Sequence, residues 1–131
     1  MYEQITDGIR VAVEPFYLEE QSEPSEDRFV FGYRVMIENV GNGTVRLIGR
    51  HWQIIDAVGR QMEVHGDGVV GEQPILAPGE SFEYTSGAPL AAPSGIMHGT
   101  YHMRREDSAV LFDVAIPAFS LDAPGAVHTP H

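Results

Sequence analysis

Three glycines, Gly66, Gly68 and Gly71, have the G-x-G-x-x-G spacing that is typical of loops binding nucleotide phosphates. In a dinucleotide-binding fold such glycines end a strand and open a helix, whose first amides contact the pyrophosphate. Here Pro74 and the corner Pro78-Gly79 follow closely, and a helix cannot propagate through them. The motif therefore predicts a tightly folded turn between strands, in which glycine permits positive φ and close backbone packing.

The charges around these glycines also disfavour a nucleotide. Asp67 and Glu72 would repel phosphate, and the chain contains no lysine to attract it. We expect any function of the loop to belong to its exposed neighbours rather than to the glycines. The candidates for docking a protein partner are Asp67, Val69, Glu72 and Gln73.

A metal site is the second chemistry that the residue types allow. His51, Glu63, His65 and Asp67 could meet if two neighbouring strands bring them together. A set of N and O ligands would suit a transition metal, and His51, His65 and Asp67 are the weak candidates. Histidines that face solvent or form ordinary hydrogen bonds are the favoured alternative, so we expect no metal and no cofactor.

Motifs for catalysis are missing. His98 and His102 lie four residues apart, about 13 Å along a regular strand, which is too far for one ion. The segment Gly79-Glu80-Ser81-Phe82-Glu83 fails the G-x-S-x-G pattern at its last position, and no H-E-x-x-H motif exists. Cysteine is also absent, which removes thiolate nucleophiles and disulfides. We therefore expect that the protein is not an enzyme.

Composition limits the partners. The 131 residues carry a net charge of −11, and all eight basic residues are arginine. Such an acidic chain is a poor ligand for nucleic acid or for an anionic membrane. No signal peptide or long apolar run is visible, and the lack of cysteine fits a cytoplasmic protein. We expect one domain over 1–131, with an ordered core over about 5–121 and a frayed tail at 122–131.

The strand pattern dominates the rest of the chain. The 14 glycines and nine prolines leave little room for helices, and apolar and polar residues alternate between them. A first strand is predicted at Ile9–Val13, ending at Pro15, and an exposed, mobile acidic loop at 19–27. A cation site on that loop's carboxylates is the less favoured alternative. Later strands are predicted from Phe29 to Glu38, Thr44 to about Asp56, Gln61 to Val64, one beginning with Phe82 and Tyr84, Ile96 to Met103, and Val110 to Ile116, with Phe119–Leu121 after an interruption at Pro117.

Several details of this pattern can be checked in a structure. The change of phase between Leu47 and Trp52 predicts a bulge near Gly49, and Gly87–Gly95 reads as a loop. The predicted core is Phe29, Phe31, Tyr33, Val35, Ile37, Trp52, Tyr101, Met103, Val110, Phe112 and Val114. Arg34, Glu38, His98 and His102 are expected to face outward. Seven or eight short strands favour a β-sandwich, with a barrel as the alternative.

Several longer motifs together make the chain resemble the ApaG family over nearly its whole length. They are Arg50-His51-Trp52-Gln53-Ile54, the run from Val64 to Pro74, Leu76-Ala77-Pro78-Gly79-Glu80, Tyr84-Thr85-Ser86-Gly87, Pro93-Ser94-Gly95, Met97-His98-Gly99-Thr100-Tyr101 and Ile116-Pro117-Ala118-Phe119. The resemblance implies that one loop carries the family signature. Its residues are Gly66, Gly68, Gly71, Glu72, Pro74, Pro78 and Gly79. The same resemblance implies an all-β fold, an immunoglobulin-like or fibronectin type III-like antiparallel sandwich of about seven strands.

The resemblance also implies a biological setting. The family is associated with cobalt resistance and magnesium efflux, and related domains in F-box proteins and in a DNA-polymerase-interacting protein look like protein-binding modules. No catalytic residues come with it. Two hypotheses follow: a non-enzymatic interaction module with an unknown protein partner, or a domain that binds or senses divalent metal directly. Oligomeric state is open, and an unpaired sheet edge would permit a dimer.

Overall fold

The computed structural model describes residues 1–125, which form nine strands and two short 3-10 turns. The strands are β1 (Tyr2–Thr6), β2 (Ile9–Tyr17), β3 (Phe29–Asn39), β4 (Val45–Asp56), β5 (Gln61–Asp67), β6 (Ile75–Leu76), β7 (Ser81–Leu90), β8 (Ser94–Arg105) and β9 (Leu111–Asp122). Within these residues no helix is long and apolar enough to cross a membrane.

The strands form two antiparallel sheets that enclose the core. One sheet has the order β1-β2-β3-β7 and the other the order β5-β4-β8-β9. Because β8 pairs along the whole of β4, the short strand β6 and the strand β5 share the opposite edge of β4. The predicted immunoglobulin-like or fibronectin type III-like sandwich is confirmed, and the separation into two sheets excludes the barrel. The described part of the chain has nine strands where about seven were expected.

Most of the predicted core is buried between the sheets. The confirmed core residues are Phe29, Phe31, Tyr33, Val35, Ile37, Trp52, Tyr101, Met103 and Val114. Two predictions are wrong: Val110 is 54% exposed, and Phe112 is only partly buried. Val110 lies in the turn before β9, and the Phe112 ring at the start of that strand packs against the guanidinium of Arg105, 4.4 Å from the ring centroid.

Three prolines lie inside strands. Pro15 was predicted to end its strand and Pro117 to interrupt one. Pro89 was predicted to lie in the loop Gly87–Gly95, but β7 continues to Leu90 and β8 already begins at Ser94. β2 continues past Pro15 to Tyr17, β7 includes Pro89, and β9 runs through Pro117. Pro15 lies beyond the part of β2 that pairs with β1, and β7 and β9 are the end strands of their sheets. Pro117 also falls where the β8–β9 register shifts. Edges and bulges are the positions where a sheet tolerates the missing amide hydrogen.

Strand pairing reaches nearly to both ends of the described residues. β1 begins at Tyr2, although its mostly exposed sequence gives no alternating signal. At the other end β9 continues to Asp122, and the Ala123 amide donates to the Pro93 carbonyl at 2.8 Å. Residues 126–131 of the predicted tail lie outside the described residues.

The predicted bulge in β4 is confirmed. The pairing with β8 passes from Leu47 opposite Met103 to Gly49 opposite His102, which leaves Ile48 as the extra residue. Because of the bulge, Leu47 before it and Trp52 after it both point into the core. The register of β8 is confirmed as well, because Met97 is 1% exposed.

The acidic loop at 19–27 has exposed carboxylates on two 3-10 turns, Glu19–Gln21 and Pro24–Glu26. Ser22 is buried beneath it, donates to the Leu18 carbonyl and accepts from the Val30 amide, both at 2.8 Å. Within residues 1–125 the loop contributes to no group of three ligand atoms close enough for one ion.

Candidate functional site

The glycine-rich segment forms a tight turn after β5. Gly68 and Gly71 have φ of 58° and 81°, and a Cβ on Gly68 would lie 2.1 Å from the Glu72 carbonyl oxygen. The Gly68 amide donates to the Ile48 carbonyl at 2.8 Å, while Val69 and Glu72 bond to each other through both amides. These amides are already used, and no helix follows, so the geometry of a phosphate cradle is missing from the described turn.

The four predicted docking residues of this turn differ in exposure. Asp67 and Glu72 are exposed, and Gln73 is half-buried. Val69 was predicted to be exposed, but it is 0% exposed and belongs to the core, because the turn folds its side chain inward. Gln73 is occupied as well: its amide nitrogen donates to the Ile48 carbonyl at 2.9 Å.

Arg50 on β4 binds the turn through its side chain. Its Nη1 donates to the carbonyls of Asp67 at 3.1 Å and Gly68 at 2.9 Å. Gly66 lies directly opposite Arg50 in the β4–β5 register, and a Cβ there would lie 2.5–2.7 Å from the guanidinium. The first glycine of the signature therefore makes room for an arginine rather than for a phosphate.

A cavity of about 210 Å³ opens between the sheets beside Arg50. Its lining residues come from β3 and β7 of one sheet and from β4, β5 and β8 of the other. We call it the Arg50 pocket. Its lining includes Tyr33, Trp52, Met62, Val64, Ser86 and Pro89.

The Arg50 pocket contains one cation and no anion. Burial raises the pKa of the Tyr33 phenol, with an opposing contribution from the Ser86 hydroxyl. Burial also raises the pKa of Tyr84 and Tyr101, whose hydroxyls bond to each other behind the pocket. The phenols thus stay neutral at physiological pH. Among the described residues no carboxylate oxygen lies within 4 Å of the Arg50 guanidinium.

The opposite face of the same hairpin carries the predicted metal candidates. His51 pairs directly with His65 across β4 and β5, and their rings stack with centroids 4.0 Å apart. Glu63 Oε2 lies 3.7 Å from His51 Nε2 and 3.5 Å from His65 Nε2. Ligand atoms of these three residues lie within 4.8 Å of one another, and Asp67 is not part of the group.

The two histidines of β8 do not join this group. His102 Nδ1 lies 2.8 Å from Asp113 Oδ1 on β9, so its partner is a neighbouring carboxylate. His98 is opposite Gln53 in the β4–β8 register. Both side chains are half-buried rather than fully outward, as is Glu38, while Arg34 is exposed as predicted.

Sequence reasoning missed Arg50 and the Arg50 pocket, although Arg50 stood in a quoted motif. The signal was a glycine opposite an arginine, and it becomes readable only when the β4–β5 register is known.

The chain is similar to known proteins over most of its length. A model of the ApaG domain matches residues 19–105. Protein ApaG of Paramagnetospirillum magneticum is 60% identical over 124 residues, and that of Allorhizobium ampelinum is 62% identical, each match covering 95% of both chains. The crystal structure of an ApaA protein from Bordetella pertussis superposes with a TM-score of 0.86 at 50% identity, over 89% of this chain and 94% of that one.

Proposed function

This chain belongs to the ApaG family, and from that membership we propose that it acts as a non-enzymatic protein-interaction module. The names of these relatives state no reaction. The observation that carries the proposal is the half-buried guanidinium of Arg50, which faces a cavity without an anion. A cation in that position is a recognition element for an acidic group on a partner.

The partner group that fits is one carboxylate on an extended segment. Nη1 of Arg50 is engaged by the turn, and no hydrogen bond within the described chain uses Nε or Nη2. A carboxylate can accept from these two nitrogens side by side. The apolar side chains of Trp52, Met62 and Val64 would then cover the neighbouring apolar atoms of the segment.

Strand addition supplies the rest of the contact. β5 is the end strand of its sheet, so one row of its amides and carbonyls is unpaired. It contains no proline, unlike β7 across the pocket, which carries Pro89. An added strand along β5 would place its alternate side chains over the Arg50 pocket.

The net charge restricts the partner further. At −11 the protein attracts basic surfaces at long range. A carboxylate that enters the Arg50 pocket is therefore best placed in a segment that is otherwise neutral or basic. Long-range attraction would bring the partner to the surface, and the local pair with Arg50 would set the register.

The association with cobalt resistance and magnesium efflux, which the family resemblance implies, belongs to the same proposal. A module of this kind would act on ion homeostasis through its partner, and a cytoplasmic location would place it beside the inner face of the transport machinery.

Peptide display tests the docking proposal. Random peptides selected on the wild-type protein are expected to share one Asp or Glu in a neutral or basic context. Met62→Glu introduces a competing carboxylate at the mouth of the pocket and should weaken binding by about 10-fold to 150-fold, the equivalent of one charged hydrogen bond. Ile5→Glu makes the same change on β1, the far edge of the other sheet, and should leave binding unchanged.

Two results would overturn the proposal. One is selection of peptides without an acidic residue that bind Arg50→Gln as well as the wild type. The other is a wild-type dimer in light scattering that Met62→Glu dissociates, because the occupant of the edge would then be a second copy.

A further inference from the structure

We propose that His51, Glu63 and His65 bind a transition-metal ion of the zinc type on the outer face of the β4–β5 hairpin. The site faces away from the Arg50 pocket, and the proposal does not depend on the docking function. Three observations support the site: its residues share one face, their ligand atoms lie close together, and one nitrogen is unsatisfied.

Register alone brings the ligands together. His51 and His65 are directly opposite in an antiparallel pair, and Glu63 follows two residues along β5 on the same face. The backbone of both strands is fixed by the ladder, so only side-chain rotations separate the observed arrangement from a closed site. Sites built on strands hold their geometry better than sites built on loops.

The distances suit ligands of one ion better than a hydrogen-bonded cluster. Zinc binds N and O at about 2.0–2.2 Å in a tetrahedron, which places ligand atoms about 3.4 Å apart. Glu63 Oε2 lies 3.5 Å from His65 Nε2 and 3.7 Å from His51 Nε2. Neither contact is a hydrogen bond of normal length.

An unsatisfied polar atom points to a missing partner. His51 Nε2 is buried and has no hydrogen-bond partner, although the Glu63 carboxylate lies beside it. A buried polar atom without a partner is unusual and needs an explanation. Metal coordination through Nε2 supplies one, because it uses the lone pair that the protein leaves free.

Exposure provides the entry path. The His51 side chain is 22% exposed and forms the floor, whereas Glu63 and His65 are 60% and 65% exposed. An ion can therefore arrive from solvent and meet the two exposed ligands first. Three protein ligands leave one tetrahedral position for water or for a group on a partner, as in open rather than structural zinc sites.

The donor set selects the ion class. Two imidazole nitrogens and one carboxylate suit Zn²⁺, Ni²⁺ or Cu²⁺, whereas Mg²⁺ prefers an all-oxygen octahedron. Bound metal would also link β5 to β4 through side chains, in addition to the ladder.

Calorimetric titration of the full chain with ZnCl₂ tests the site. His128 and His131 lie outside the described residues, so the background variant carries His128→Ala and His131→Ala. We expect one Zn²⁺ per chain, at least ~10-fold weaker binding in His65→Ala and Glu63→Gln, and no heat with MgCl₂. His102→Ala is the matched control, because that histidine lies on the same sheet but pairs with Asp113.

Nuclear magnetic resonance provides a second readout. The imidazole signals of His51 and His65 should shift together with one Zn²⁺ equivalent, and those of His98 and His102 should not. The proposal is overturned if the background variant shows no stoichiometric heat, if His65→Ala binds Zn²⁺ as tightly as the background, or if His102→Ala removes the binding.

Discussion

The two faces of the β4–β5 hairpin carry different chemistry in consecutive residues. Arg50 and Trp52 face the space between the sheets, where apolar surface and neutral phenols surround one cation. His51 lies between them in sequence, but it faces outward to Glu63 and His65. Because strand side chains alternate, a shift of one residue separates a candidate docking pocket from a candidate metal site.

The faces also differ in what fixes their side chains. On the inner face packing immobilises the buried residues: the Trp52 ring centroid lies 5.2 Å from that of Tyr33 on the other sheet and 5.9 Å from that of Phe119 on the same sheet. On the outer face only cross-strand neighbours and solvent constrain the histidines. Substitutions of the buried inner-face residues should therefore lower stability, and substitutions of the outer-face histidines should change metal binding alone.

The largest effect is expected for Trp52→Ala. It removes a side chain that is 2% exposed, and large-to-small changes of this kind lower the free energy of unfolding by about 3–5 kcal/mol. Gln53→Ala, the next residue on the outer face, should change it by less than about 0.5 kcal/mol. Urea denaturation measures both, and similar losses in the two variants would refute the distinction between the faces.

The turn that Arg50 holds should respond differently at two glycines. Gly68→Ala combines positive φ with a clash against the Glu72 carbonyl, and we expect a loss of about 2–3 kcal/mol. Gly71→Ala has positive φ but open space around the new Cβ, so the loss should be about 1 kcal/mol. Thermal unfolding of the pair gives the comparison. Equal losses would mean that the turn does not close as tightly as described.

The buried phenols make the inner face sensitive to alkaline pH. The raised pKa values of Tyr84 and Tyr101 mean that the unfolded chain loses these protons first, so stability should fall as pH rises above about 10. Tyr84→Phe leaves the Tyr101 hydroxyl without its partner and should lower stability by about 1–3 kcal/mol at neutral pH.

Denaturation of Tyr84→Phe as a function of pH provides the check. The alkaline loss should be shallower than in the wild type, because one titrating group is gone. Tyr17→Phe, at a half-buried tyrosine, is the control. If the free energy of unfolding of Tyr84→Phe falls with pH as steeply as that of the wild type, Tyr84 does not contribute to the alkaline loss of stability.

The smallest effect is expected on the outer face. With a chelator present, His65→Ala should change the free energy of unfolding by less than about 0.5 kcal/mol, because the side chain is exposed. With Zn²⁺ at a hundred times its dissociation constant, the wild type should gain about 2.7 kcal/mol, and the variant should gain much less. A large loss in chelator would show that the histidine pair is part of the fold.

Alternation predicted the sandwich and most of its core, since burial of every second residue leaves a direct mark on β4, on β8 and on β3 from Tyr33 onward. It failed at β1, which is exposed on both faces, and at Val69, which a turn carries inward. The prolines were misinterpreted because the sequence does not show which strands lie at the edge of a sheet. A strand tolerates proline where no neighbouring strand needs its amide hydrogen, and only the topology shows where that is.

The candidate sites were partly readable. His51 and His65 were named from their residue types, but their pairing depends on a register set by the turn between β4 and β5. Of the four residues that the sequence suggested could meet, Asp67 stays outside the group. The Arg50 pocket was not readable, because it joins residues of both sheets and exists only after they pack.

The extra residue in β4 anchors the glycine turn, whereas the packing of the sandwich depends on the residues on either side of it. The Ile48 carbonyl lies at the bulge and accepts from both the Gly68 amide and the Gln73 side chain. Deletion of Ile48 would restore strict alternation from Leu47 to Trp52 and so preserve the inward positions of both. The turn would lose this anchor and keep the hydrogen bonds from Arg50. A single-codon deletion would therefore retain the inward pattern of β4 while loosening the segment that carries the family signature.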